Sequence, residues 1–234
     1  MSTSRTVGIL GGMGPMSTWD LLKKVTEKTP VKHEREHLRI LVDSRPQIPD
    51  RPAAIRGEGE SPAPMMQESA RMLEKWGAEL LAIPCNTAHY FLPQVQAAVS
   101  IPVLDMIGLV GRTLGAMVPP GAPVALLATA AAGEARVFHD RIPDNPLLIP
   151  SAESHRELVA GAILQVKLED SVAEPRTKLL AAVGGLDARP AAVIAGCTEV
   201  ELALSSGQNP WPVVFPMDLL AQEIVHEAWS PPGE

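Results

Sequence analysis

"AELLAIPCNT", residues 78–87, and "PAAVIAGCTE", residues 190–199, decide how this chain is read. Each is an apolar run that ends in a cysteine followed by small polar residues. The two cysteines of the chain, Cys85 and Cys197, fall at equivalent places in the two stretches. An apolar run of strand length without polar alternation is the pattern of a strand buried on both faces, as in a parallel sheet.

The same pattern marks Thr6–Leu10, Leu38–Asp43, Val103–Asp105, Val124–Ala128, Leu147–Ile149 and Val213–Phe215 as strands, beside Leu80–Pro84 and Val193–Ala195. Amphipathic stretches lie between them. "MMQESARMLEKWGA" carries Met66, Ala70 and Leu73 at helical spacing and stops at Gly77. "SAESHRELVAGAILQVKLE" offers Ser151 or Ser154 as a cap, with Glu157 three residues beyond Ser154. "EPRTKLLAAVGGL" is a third helical stretch. Strands alternating with helices predict an α/β fold.

The order of landmarks repeats. "VGILGGMGP" (7–15) has the shape of "VALLATAAAG" (124–133), and "IPVLDMIGLVGRT" (101–113) that of "WPVVFPMDLLAQEIV" (211–225). Gly11 precedes Cys85 by 74 residues and Thr129 precedes Cys197 by 68. Three landmarks in one order predict a duplicated α/β unit. The expected N-terminal lobe spans 1–101 plus 211–234 and carries Cys85; the C-terminal lobe spans 102–210 and carries Cys197.

Composition narrows the function. The chain has 234 residues, 46 % of them hydrophobic, and a formal net charge of −7. A packed protein is expected, with no basic stripe for nucleic acid. No apolar run approaches a membrane span, and the N-terminus lacks the shape of a signal peptide. A cytoplasmic protein with reduced thiols is therefore expected. Cys85 and His89 stand four apart, as two helix-borne metal ligands would. No second Cys-x-x-Cys and no His-Glu-x-x-His accompanies them, so no metal is predicted. "GILGGMGPMS" fails as a dinucleotide fingerprint, because Ser17 holds the third glycine position and Pro15 intervenes. His33, His37, His139, His155 and His226 show no ligand spacing and read as surface or satisfied polar residues.

Thiol chemistry remains. Ligands of parallel α/β sheets collect at the carboxyl ends of strands, where both cysteines are predicted to lie. A helix beginning after each would lower the thiol pKa and favour the thiolate. Free cysteines commonly pack as small hydrophobes, but two in matched settings argue for a shared task. Two acid–base groups flanking one carbon are what stereochemical inversion needs: one removes a proton and the other returns one to the opposite face.

"GILGGMGPMST", "RPQIPDR", "GEGESPAP", "AIPCNTAHYF", "IPVLDMI" and "IAGCTEVEL" together resemble the aspartate/glutamate racemases, the cofactor-independent amino-acid racemases. The resemblance runs from about residue 6 to about residue 225. It implies two pseudo-symmetric three-layer α/β lobes with parallel sheets, an active site in the cleft between them, and a homodimer. It implies Cys85 and Cys197 as the two catalytic bases, with no cofactor and no metal. Asn86, Thr87 and Thr198 would hold the substrate α-carboxylate, Thr129 would also contact substrate, and Gly12 and Met13 would touch it through the backbone. Arg51 would bind a side-chain carboxylate in a forked pair, and Lys167 falls where a second cation is expected. Glu199 would organise the turn around Cys197.

The chain also departs from that pattern. Ala130, Ala131 and Ala132 stand where hydroxyl- and glycine-containing residues are common, which removes one carboxylate anchor. Arg45 replaces a small amide residue, and Ile163 and Leu164 replace a polar ring. Aspartate ahead of glutamate is the expected substrate. Two other readings fit the same residues: a cysteine-dependent isomerase or decarboxylase of a small dicarboxylic acid, and a non-catalytic ligand-binding or redox-sensing homologue.

Overall fold

The computed structural model describes residues 4–142, 144–168 and 172–229. By internal contacts the chain divides into two compact units, Met1–Met106 with Met217–Glu234, and Ile107–Pro216.

The first unit is built on strands β1 (Val7–Gly11), β2 (Ile40–Ser44) and β3 (Leu80–Ala82), all parallel, in the order β2-β1-β3. Val7 is in register with Ile40 on one side and Leu80 on the other. A parallel bridge between Leu81 and Val103 continues the sheet beyond β3. All five residues of β1 are buried. Successive strand residues point to opposite faces, so both faces of the sheet are covered. The Ala63–Lys75 helix buries Met66, Ala70 and Leu73 against Leu10, Leu81 and Ile83. Gly77 ends that stretch at φ +99°, in the left-handed region.

The Pro15–Lys28 helix begins on proline, whose fixed φ suits the first helical position. Thr18 ties this helix to the end of β1. Its Oγ1 accepts from the Gly12 N–H at 2.9 Å and donates to the Gly14 carbonyl at 3.2 Å. Gly12 has φ +88°, and a Cβ there would lie 2.3 Å from the Arg45 backbone nitrogen. Only glycine fits that turn.

The second unit holds β4 (Val124–Ala128), β5 (Leu147–Leu148), β6 (Ala192–Gly196) and β7 (Val213–Val214), parallel, in the order β5-β4-β6-β7. β4 and β6 are buried along their whole length. Their register runs from Val124↔Ala192 to Ala128↔Gly196. Leu127, Val159, Leu179 and Val200 are part of this unit's core. The two sheets share one strand order: β4 takes the place of β1, β5 of β2, β6 of β3, and β7 of the Val103 bridge. This is the topology a duplicated α/β unit produces.

Two segments lie in the other unit from the one the sequence reading assigned. Residues 102–106 stay with the first unit, because Val103 pairs with Leu81. Residues 211–216 stay with the second, because Val213 is in register with Val193. The chain returns to the first unit only with the Pro216–Trp229 helix, where the Arg5 N–H donates to the Ala228 carbonyl at 3.0 Å. Lys28 also pairs with Asp218 at 3.0 Å there. The cap of the 152–168 helical stretch is Ser151, whose Oγ accepts from the Ser154 N–H at 3.2 Å. Ser154 is already helical, and the segment His155–Ala160 widens to a π-helix.

Candidate active site

Parallel strands bring their carboxyl ends to one edge of each sheet. At that edge of the first sheet stand Gly12 and Met13, just past β1, and Cys85, Asn86 and Thr87, just past β3. Cys85 keeps 8 % of its surface exposed at the border of the first core. A 3₁₀ turn, Thr87–Phe91, begins two residues later. His89 sets the position of this segment. Its Nδ1–H donates to the Cys85 carbonyl at 2.8 Å, and its Nε2 accepts from the Met106 N–H at 3.2 Å. That pair of bonds defines the neutral tautomer protonated at Nδ1. Neither ring nitrogen offers a lone pair to a metal, despite the four-residue spacing from Cys85. Among the described residues, no group of three His, Cys, Asp or Glu side chains is placed to hold a metal ion.

Asn86 and Thr87 are both buried. The Asn86 Oδ1 has no hydrogen-bond partner among the described residues, so the segment presents an unused acceptor beside the thiol. The Gly12 N–H is already taken by Thr18, which removes it from the expected backbone contact with substrate. Met13 is packed into the core. Arg51 opens a short helix, Arg51–Ile55, capped by Asp50. Its Nη1 donates to the Ile48 and Pro49 carbonyls at 3.2 and 3.1 Å, and its buried Nε has no partner among the described residues. Arg45 pairs with Glu68 at 2.8 Å on the Ala63–Lys75 helix.

At the matching edge of the second sheet, Thr129 and Cys197 directly follow the register pair Ala128↔Gly196. Gly196 is required there, because a Cβ would lie 2.9 Å from that of Ala128. Cys197 is the N-cap of the Thr198–Ser205 helix and is 8 % exposed. Its thiol donates to Glu199 Oε2 at 2.8 Å, and the Thr198 hydroxyl donates to the same oxygen at 3.0 Å. Lys167 Nζ stands 3.8 Å from the other carboxylate oxygen.

This arrangement pushes the Cys197 thiol well above its ordinary pKa. Burial is the largest cause, followed by the negative charge of Glu199 and the hydrogen bond that favours the protonated form. The backbone N–H of Glu199 and the Lys167 charge pull the other way and are outweighed. The expectation that the helix N-terminus would favour the thiolate is therefore overturned at Cys197, which is a protonated thiol. Neither Cys85 nor Cys197 is in a disulfide.

The Thr129 hydroxyl oxygen accepts from the Ala132 N–H at 3.3 Å and caps the short Ala130–Glu134 helix. Thr129 and Lys167 line one cavity of about 800 Å³ within the second unit. His155 lines it too, held by a 2.9 Å hydrogen bond from Nε2 to the Ala128 carbonyl. Sequence reasoning passed over the roles of His89 and His155, because no local spacing signals a ring that bonds to a distant carbonyl.

A duplicated parallel α/β architecture with a cysteine beyond the third strand of each sheet defines a class, the two-unit α/β proteins that carry a thiol at the carboxyl edge of each sheet. Residues 10–224 match the Asp/Glu/Hydantoin racemase family, and the chain belongs to that family. It is thereby an amino-acid racemase, an isomerase. The broad specificity amino-acid racemase RacX of Bacillus subtilis (strain 168) is 23 % identical over 225 residues, covering 94 % of this chain and 96 % of that protein. The aspartate racemase of Picrophilus torridus superposes with a TM-score of 0.83 at 26 % identity, over 96 % of this chain and 94 % of that one. A putative Asp/Glu racemase from Yersinia pestis shares the fold with a TM-score of 0.79 at 20 % identity, over 97 % of this chain and all (100 %) of that one. No described helix is long and apolar enough to cross a membrane.

Proposed function

We propose that this chain interconverts the enantiomers of an α-amino acid by two proton transfers at Cα, with Cys85 and Cys197 acting on opposite faces. In one direction the Cys85 sulfur takes the Cα proton as thiolate, and the Cys197 thiol gives its own proton to the other face. The net proton count is unchanged, and the enzyme is left ready for the reverse reaction. The observation that carries the reading is the Cys197 thiol held protonated on Glu199, at the place in its sheet that Cys85 holds in the other. A carbon acid needs a proton donor ready as the carbanion forms.

Around this pair, Thr87 and the backbone N–H of Thr198 serve the α-carboxylate, since the Thr198 hydroxyl is given to Glu199. The unused Oδ1 of Asn86 suits the substrate ammonium group as an acceptor. Among the described residues Arg51 is held by neutral carbonyls, and it offers its charge to an anion. The family resemblance points to aspartate ahead of glutamate, whereas the pairing of Lys167 with Glu199 weighs against the second cation that a dicarboxylate would use. A cytoplasmic homodimer goes with this proposal, and sedimentation tests the dimer.

Deuterium uptake at Cα in heavy water tests the reaction. Cys85→Ser and Cys197→Ser should each abolish racemisation, with exchange surviving on one enantiomer only. Full racemisation by either variant sinks the two-thiol mechanism.

A further inference from the structure

The second unit's cavity is far larger and less polar than a short acidic side chain needs. At about 800 Å³ it falls within the usual size range of small-molecule sites, roughly 300–1,000 Å³. Ala128, Ala130, Ile149, Ile163 and Leu164 make its walls apolar. Its charged members are two cations, Lys167 and Arg156, and one anion, Glu134, all at the rim rather than on the apolar walls. Lys167 is paired with Glu199. Arg156 and Glu134, one of each sign, are exposed residues of the lining. A carboxylate placed against the apolar walls would lose its hydration without gaining a partner.

The cavity nevertheless adjoins the chemistry. Lys167 belongs both to its wall and to the Lys167–Glu199–Cys197 chain. Thr129, at the end of β4, stands on the strand edge beside Cys197. Ala130, the first residue of the short helix, lines it where a hydroxyl would have offered an anchor.

We infer that this cavity receives the substrate side chain, and that the preferred substrates are neutral α-amino acids with apolar side chains of several carbons rather than dicarboxylates. The inference rests on the racemase reading above and assigns its substrate class. Each additional buried methylene should raise kcat/KM roughly fourfold.

The test measures Cα deuterium uptake for L-alanine, L-norvaline, L-norleucine, L-aspartate and L-glutamate, with calorimetric binding of L-norleucine alongside. Rates should climb from alanine to norleucine, and norleucine should exceed both acids by about tenfold or more. Leu164→Asp, at a position 58 % exposed and so tolerant of a polar residue, should bring the norleucine-to-alanine ratio down towards one. Aspartate or glutamate as the best substrate, or equal rates for alanine and norleucine, overturns the cavity assignment and leaves the racemase reading standing. Norleucine binding with no exchange on any amino acid does the reverse. Neither binding nor exchange overturns both.

Discussion

The thiol of Cys197 donates to the carboxylate of Glu199, Sγ to Oε2 at 2.8 Å. The two residues are separated by one position at a helix N-terminus, a place that ordinarily draws a thiol towards ionisation. Burial and the Glu199 charge prevail instead. The helix terminus thus holds a thiol whose pKa is raised, the state that the proposed proton donor requires.

Glu199→Gln removes the negative charge and should lower the Cys197 pKa, whereas Lys167→Met removes the opposing cation and should raise it further. In a Cys85→Ser background, the pH profile of thiolate absorbance reads this directly. The midpoint should move down in the first variant and up in the second. Shifts in the same direction would contradict the electrostatic account.

Linkage makes the same group visible in stability. The folded pKa of Cys197 lies above its unfolded value, so its contribution is fully present below about pH 8.5, the ordinary thiol range. It is lost as pH rises through the window up to the folded value, at no more than about 1.4 kcal/mol per pH unit. Urea unfolding of wild type against Cys197→Ala, from pH 7 to 10, should show the difference between them shrinking at the alkaline end. A constant difference would mean the thiol titrates alike in both states.

His89 bonds to the Cys85 carbonyl and to the Met106 N–H from within the core. His89→Ala leaves both partners buried and unmatched, and should cost about 1–3 kcal/mol for each left unsatisfied. Chemical denaturation measures the loss. Nitrogen chemical shifts of the ring should report the Nδ1–H tautomer.

Thr18→Val keeps the shape of the side chain but strands the Gly12 N–H that Thr18 Oγ1 accepts. The expected cost is about 1–3 kcal/mol. Because the turn carries Met13 towards the carboxyl edge of the first sheet, racemisation should fall along with the midpoint of unfolding. A variant as stable as wild type would show that the amide finds another acceptor.

The apolar runs, the glycine stops and the repeated order of landmarks were enough to read the strands and the duplication, because burial on both faces leaves a local imprint on composition. The paired cysteines were legible for the same reason, each lying just past an apolar run. Residues 102–106 and 211–216 were read into the opposite units, since an apolar strand does not name its neighbour and only the registers of Val103 with Leu81 and Val213 with Val193 do. The sequence by itself determined the α/β repeat and the chemistry available to it. Tertiary structure alone decided that the Cys197 pKa is raised, that His89 is a structural tautomer, and that Ala130 lines a large apolar cavity. Protonation and pocket polarity depend on which distant groups exclude water from a side chain, and no local spacing encodes that.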